Sequence, residues 1–326
     1  MRDYQKIIFI FLIVAAVTAT ICFCIVLKYS DIFSDTNSEI TNTGYSIKES
    51  DYVRILFVGD LMFDRGIRYY AEKNGGNDFI FSEISPLLLG QSIVVANLEG
   101  PITDNKSISA GTKAGSKNNY FFTFDPSVAK TLFSKNIRIV DLGNNHILNF
   151  GQTGVNSTKK YLSESLVDYF GAPGGGKTTR KNINGLNVAF ISYNEFLNSD
   201  VTSEQGTVIK KIEELKGGAD VVVVFCHWGT EYKSAPTDDQ NKLAHQFIDA
   251  GADLIIGTHP HVIEPMEEYK GKRIYYSLGN FIFDQYFNED VRNGLGVEVE
   301  INKTTKEMTF KEHNFYLQNN GQTILK

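Results

Sequence analysis

Cysteine is nearly absent: there are three in 326 residues. Cys22 and Cys24 share one apolar run, which leaves Cys226 alone, so no disulfide can staple the rest of the chain and a packed core must hold it. Cys226 reads as a core thiol, because strand alternation aims it away from its neighbour His227. Excess positive charge is lacking as well. The formal net charge is −6, which argues against nucleic acid as a partner. Long apolar runs are missing after the first 27 residues, and no internal repeat is evident. Residues 7–27 are uncharged and would make a helix of about 31 Å, enough to span a hydrocarbon core. Arg2 and Lys6 precede this run and Lys28 follows, a bias that favours an inside N-terminus. A cleaved signal peptide competes with this reading, but the run stays apolar past the small residues at 16–19, so an uncleaved anchor is expected. The expected organisation is a cytoplasmic N-terminus (1–6), a transmembrane anchor (7–27), a polar linker (28–50) and one large domain (51–326) outside the cell.

What is present is a set of short, β-branched apolar runs, each ending in residues that can bind a metal. Residues 55–58 lead into Gly59-Asp60, residues 93–96 into Asn97-Leu98-Glu99, and residues 137–142 into Gly143-Asn144-Asn145-His146. Residues 221–225 lead into Cys226-His227-Trp228, and residues 254–256 into Gly257-Thr258-His259-Pro260-His261. Such runs read as buried parallel strands, and side chains leaving their C-terminal ends converge in one crevice. Imidazole with carboxylate and amide oxygen suits Zn, Mn or Fe. His259 and His261, two apart in what is expected to be extended backbone, would point to the same side and share one ion or two adjacent ions. His245, in a helix-like stretch, and His313, on a terminal strand, read as surface or packing residues.

The strings Gly59-Asp60-Leu61-Met62-Phe63-Asp64-Arg65, Asn97-Leu98-Glu99, Asn144-Asn145-His146, His227-Trp228-Gly229-Thr230-Glu231-Tyr232, Gly257-Thr258-His259-Pro260-His261 and Ser277-Leu278-Gly279-Asn280-Phe281 occur in this order. Together they resemble the CapA family of poly-γ-glutamate capsule-synthesis proteins, over about residues 51–285. The resemblance implies a metallophosphoesterase-like fold, a four-layer α/β/β/α sandwich. It implies a metal site holding one or two divalent ions through Asp60, Asn145, His227, His259 and His261, with Glu99 near a bridging carboxylate. His146 would protonate a leaving group, and Arg65 would pair with a site carboxylate or bind negative charge on the substrate. Two positions depart from the pattern: Met62 stands where metallophosphoesterases carry a histidine, and Asn149 stands where the family usually carries aspartate. One ligand and one orienting carboxylate are therefore expected to be missing.

Helices are expected at 126–135, 153–165, 208–215 and 237–249, and strands at 167–170, 188–192, 274–277, 296–301 and 308–316, the last ones antiparallel additions. Gly171-Ala172-Pro173-Gly174-Gly175-Gly176-Lys177-Thr178 matches a P-loop by letter. A turn and a strand are expected after it instead of a helix, so it reads as a flexible loop with a lysine at its tip, and no nucleotide is expected. The loop 103–119, with Lys106, Lys113 and Lys117, is either a lid useful for an anionic polymer or an ordinary solvated insertion. Tyr120, Phe121 and Phe122 are expected in the core. Three functions stay open. The first is a membrane-anchored capsule protein acting on poly-γ-glutamate with other capsule-synthesis membrane subunits, as a metal-dependent hydrolase in which activated water attacks a phosphoryl or acyl centre. The second is a non-catalytic scaffold of the same complex. The third is a secreted metal-dependent phosphodiesterase.

Overall fold

The computed structural model describes residues 50–196 and 201–326. The expected anchor at 7–27, and the expected linker apart from Ser50, lie outside the described residues. Among the described residues, no helix is long and apolar enough to cross a membrane.

The elements follow in the order β1 (Tyr52–Leu61), α1 (Arg65–Lys73), α2 (Ser85–Leu89), β2 (Ile93–Leu98), α3 (Ser127–Ser134), β3 (Ile137–Asp141), α4 (Gly151–Glu164), β4 (Asp168–Phe170), β5 (Thr178–Ile183), β6 (Leu186–Asn194), α5 (Val201–Lys216), β7 (Val221–His227), α6 (Asp238–Ala250), β8 (Leu254–Thr258), β9 (Met266–Tyr269), β10 (Lys272–Tyr275), β11 (Asn280–Ile282), β12 (Asn293–Asn302), β13 (Met308–Leu317) and β14 (Thr323–Leu325). They build an α/β fold with two mixed sheets. One has the order β14-β13-β12-β1-β2-β3-β4, with β11 also paired to β1, and the other β5-β6-β7-β8-β10-β9. Strands β1 to β4 are mutually parallel, as are β6, β7, β8 and β10. The antiparallel strands β12 to β14 extend the first sheet, as the run of terminal strands leads one to expect.

Strand alternation sorts the core into layers. Val53, Ile55 and Phe57 of β1 face the same cluster as Val188, Phe190, Val221, Val223 and Phe225 of the second sheet. Leu56 and Val58, one residue out of phase, join Ile67, Leu132, Val155 and Leu162 from the helices on the other side. On the far face of the second sheet, Val222 and Val224 meet Val208 and Ile212 of α5 and Leu243 and Phe247 of α6. Each fully buried Val, Leu or Phe is worth about 1.5–3 kcal/mol against exposure, so this layering outweighs any local propensity.

Local signals account for the helices that the sequence leads one to expect. Thr237 caps α6 in a capping box with Gln240, Asp238 and Asp239 open its first turn, and Gly251 ends it in a left-handed conformation, all favourable terminal chemistry. Helix α1 has a capping aspartate but no capping box and no acidic first turn. Only Ile67 and Ala71 of it are buried, too sparse a pattern to read, and its start depends on Asp64, whose side chain accepts from Arg65 N–H, Arg68 Nε and, across the fold, Thr123 N–H. The edge strands β5, β9, β11 and β14 escape the sequence for a similar reason, since short or half-exposed strands carry little periodic signal.

The glycine-rich segment joins β4 to β5, with no helix following, so the P-loop match is a coincidence of letters. The lysine of this segment, Lys177, is paired to the buried Glu204 of α5.

Candidate metal centre

Two glycines let the strand ends come together. A Cβ on Gly59 would lie 1.8 Å from the Gly279 carbonyl oxygen, and one on Gly257 would lie 1.8 Å from that of Tyr276. Between these close approaches the ends of β1, β2, β7 and β8 deliver Asp60, Glu99, His227, His259 and His261, all buried. Their donor atoms form two groups within 4.8 Å of one another: Glu99 with His227 and His259, and Asp60 with Glu99 and His261. Glu99 belongs to both. Asn145 is brought to the same place, its Oδ1 3.1 Å from His227 Nε2.

The reasoning that joins His259 to His261 through extended backbone is corrected. Their φ angles are +95° and +59°, so the chain coils through a left-handed turn and hands one imidazole to each group. Met62 is buried in the core behind the site, and its thioether accepts the Asp64 N–H at 3.0 Å. It is a packing residue, and it belongs to neither group of donors.

A layer of amides and hydroxyls orients the ligands. Thr258 Oγ1, which donates to the Cys226 carbonyl oxygen, lies 3.1 Å from His227 Nδ1 and Asn97 Nδ2 lies 3.3 Å from the same nitrogen, and this leaves His227 Nε2 turned toward the cluster. Asn97 Nδ2 donates to Asp60 Oδ1, and Asn144 Nδ2 donates to Asn97 Oδ1. Asn280 Oδ1 lies 2.9 Å from His261 Nδ1. Asn97, Thr258 and Asn280 stand inside strings that the sequence singles out, but nothing there distinguishes an orienting amide from a turn residue. Cys226, His245 and His313 are placed as expected: Cys226 is in the core, His245 pairs with Glu267 and His313 with Glu298.

Electrostatics set the protons. Burial, reinforced by Asp60, holds Glu99 well above the usual carboxylate range. Burial would depress His261, but the Glu99 and Asp60 carboxylates outweigh it and push the ring up to about 9. Burial and the neighbouring imidazoles hold His227 far below its usual value and bring His259 to about 3. Both Glu99 oxygens and His259 Nδ1 lack a hydrogen-bond partner. Buried polar atoms are seldom left so, and an orphaned carboxyl group beside the neutral His227 and His259 rings is what a divalent cation satisfies. The residues present therefore fit such an ion.

His146 lies at the edge of this cluster, its Nε2 3.9 Å from Glu99 Oε1 and its ring packed on Phe122 at 4.3 Å. Asn149 does not leave it without a guide: Asn149 Oδ1 accepts the Phe122 N–H at 2.8 Å and sits 3.2 Å from His146 Nδ1. Orientation is retained and only the charge is missing. Burial brings His146 down to about 4, so the ring is neutral at about pH 7. Arg65 does not reach a carboxylate of the cluster. It is paired with Asp284, and its Nη1 donates to Asn119 Oδ1 at 3.2 Å. Asp284 escapes the sequence reading, where a lone carboxylate after Phe281-Ile282-Phe283 carries no pattern. Of the three aromatics expected in the core, Phe122 is buried, while Tyr120 is 48% exposed.

Asp141, behind the site at the end of β3, is a separate case. Burial pushes its carboxyl up to about 7 even though Gly143 N–H donates to it. Because the folded value lies above the unfolded one, its contribution to stability is fully present below about pH 4 and is lost as pH rises through 7. Asp141→Asn, which keeps an acceptor for Gly143, is expected to match its parent near pH 4 and to exceed it at pH 8 by up to ~4 kcal/mol. Urea unfolding at the two pH values reads this directly, and an equal difference at both would refute it.

Residues 54–285 match the family model described as bacterial capsule synthesis protein PGA_cap. The chain is 34% identical over 250 residues to the PGA biosynthesis protein CapA of Bacillus subtilis (strain 168), covering 72% of this chain and 64% of that protein. It is 32% identical over 260 residues to the capsule biosynthesis protein CapA of Bacillus anthracis, covering 73% and 61%. The matched region thus spans a little under two thirds of the length of these relatives. Among solved structures, the protein TT1561 of Thermus thermophilus overlaps with a TM-score of 0.43 at 10% identity, covering 79% of this chain and 98% of that one.

Proposed function

The chain belongs to the bacterial capsule synthesis protein PGA_cap family, and from that premise we propose that it is a metal-dependent hydrolase acting in the synthesis, export or anchoring of poly-γ-glutamate. Its domain stands outside the cell on a single N-terminal membrane anchor and works with other capsule-synthesis membrane subunits. The names of the Bacillus relatives, a PGA biosynthesis and a capsule biosynthesis protein, support the polymer. The observation that carries the chemistry is Glu99, fully buried, shared by both ligand groups and without a hydrogen bond on either oxygen.

Asp60, Glu99 and His261 would hold one ion, and Glu99, His227 and His259, with Asn145 beside them, a second. A divalent ion there supplies Lewis acidity toward a phosphoryl or acyl oxygen. The chain's own residues do the rest. Asn149 keeps the proton on His146 Nδ1, so that Nε2 presents a lone pair toward the cluster. Since burial leaves this ring neutral, Nε2 first takes a proton from the attacking water and then returns it to the leaving group, the protonation that the resemblance implies.

His146→Ala in a polymer-producing host is expected to lower polymer output by about 100-fold or more, with the protein still folded and present at the parent's abundance. The second reading, a scaffold without turnover, draws on Met62, which packs in the core where a ligand would stand. It requires unchanged output from His146→Ala together with loss of output on deletion.

A further inference from the structure

Beside the cluster runs an open cleft of ≈ 730 Å³, walled by Arg65, Tyr69, Tyr120, Tyr232 and Phe287 and roofed by the loop that carries Ser109, Thr112 and Asn119. We propose that this cleft is the polymer-binding subsite of the centre, and that it takes an extended polyamide bearing carboxylates, a segment of γ-linked glutamate. The proposal rests on the functional reading above for the identity of the polymer, and on the following geometry for the cleft.

Only one layer of side chains separates cleft from cluster. The Arg65 guanidinium lies 4.9 Å from the Phe122 ring centre and 5.4 Å from that of Phe283. Phe122 in turn packs on His146 at 4.3 Å, and Phe283 on His261 at 4.8 Å. Tyr232, in the cleft wall, stacks over His261 with ring centres 6.1 Å apart. A chain lying in the cleft is therefore led to the place where His146 and the ligands meet.

The surface is built for a polar chain with flat groups. Tyr69, Tyr120, Tyr232 and Phe287 are 40–63% exposed, an unusual outlay of aromatic area in water, and they cluster instead of being scattered. Flat amide planes lie well on such rings, and the ring edges of Tyr232 and Phe287 meet at 5.2 Å to form a corner. Polar anchors are held ready: Asn119 is fixed between Arg65 and Thr112, and Gln285 between the Tyr232 hydroxyl and Asn280. Pre-positioned groups of this kind lower the ordering cost of binding.

One buried donor in the wall is open to an anion. Arg65, nine-tenths buried and paired to Asp284, keeps an Nε–H with no acceptor. Lys113 and Lys117, on the roofing loop, are exposed and form no ion pair among the described residues. The loop that the sequence leaves as either lid or insertion thus roofs the cleft with Ser109, Thr112 and Asn119, and it carries these two lysines beside the lining residues. A neutral glycan would match the rings but would make no use of these cations.

The test is fluorescence anisotropy of a labelled γ-glutamate oligomer with the full-length chain in detergent, stripped of metal by chelator so that binding is read independently of the centre. Tyr120→Ala/Phe287→Ala is expected to weaken binding by about tenfold or more. Lys113→Glu/Lys117→Glu should weaken it and flatten its dependence on salt, and both pairs should keep the parent Tm, since all four side chains are exposed. Affinity unchanged in both double variants overturns the proposal, as does tighter binding of an uncharged polyamide or glycan oligomer. Failure of the unsubstituted chain to bind the oligomer while it still binds divalent ions overturns the subsite and leaves the metal centre standing. Binding of the oligomer by a chain that takes up no divalent ion supports the subsite and removes the centre.

Discussion

Stripped of divalent ions and then titrated with Zn²⁺, Mn²⁺ or Fe²⁺, the chain is expected to gain about 5–10 °C in Tm at a hundredfold excess over Kd, while Glu99→Gln gains none. The magnitude follows from linkage: an ion that binds only the folded state at that excess adds about 2.7 kcal/mol, and each kcal/mol moves a domain of this size by roughly 2–4 °C. Glu99 is the decisive substitution because both ligand groups contain it, so one neutral isostere removes the anionic donor from either ion. The variant should fold. Without an ion, burial already holds the Glu99 carboxyl well above its usual range, so an uncharged side chain there relieves a desolvation cost instead of adding one. The gain should also depend on pH in a set direction. His261, held at about 9 in the ion-free chain, must release its proton to ligate, so the Tm gain grows as pH rises toward 9 and shrinks as it falls. A full metal-induced gain in Glu99→Gln would rule out the centre described here.

The largest loss of stability is expected from single methyl groups at the two close approaches. Gly59→Ala and Gly257→Ala each put a Cβ 1.8 Å from a backbone carbonyl oxygen, of Gly279 and of Tyr276. Backbone cannot yield as a flexible side-chain end can. Both obstructing segments are also tied down, Gly279 O by the Asp60 N–H and Tyr276 O by the Trp228 indole. Each variant should lose more than about 4 kcal/mol, the range of exceptional mutations, or fail to accumulate folded. The same exchange at Gly206 provides the contrast. That glycine lies within α5 with nothing near its would-be Cβ, so Gly206→Ala should stabilise by roughly 0.5–1 kcal/mol through helix propensity alone. Urea midpoints of the three variants would separate them by sign, and a mild effect at Gly59 or Gly257 would show that the strand ends are not so tightly joined.

The strands and the site are legible in the sequence to different depths. Runs such as 221–225 and 254–256 announce buried strands because burial on both faces demands continuous β-branched residues, a purely local signal. That Asp60, Glu99, Asn145, His146, His227, His259 and His261 would meet also follows locally, since parallel strands deliver their C-terminal ends to one side. Helix α1 escapes because a cap at Asp64 and two buried residues make too short a pattern. At Asn149 the sequence shows that a carboxylate is missing, and only the fold shows that the amide oxygen, which differs from a carboxylate in charge but not in its ability to accept a hydrogen bond, still orients His146.

By itself, then, the sequence determined the α/β class, the strands that carry ligands, the kinds of donor at their ends and the falseness of the P-loop match, because each of these depends on residues adjacent in the chain. Only the tertiary structure decided how the donors divide. His259 and His261 went to different groups through left-handed backbone that no spacing rule foretells, and Glu99 became common to both because β2 lies beside β1 and opposite the ends of β7 and β8. Arg65 found Asp284, 219 residues away, and Lys177 found Glu204. The aromatic cleft arose from Tyr69, Tyr120, Tyr232 and Phe287, which belong to four separate segments. Pairings over such separations depend on how two sheets and their loops pack in space, and local periodicity holds no record of that.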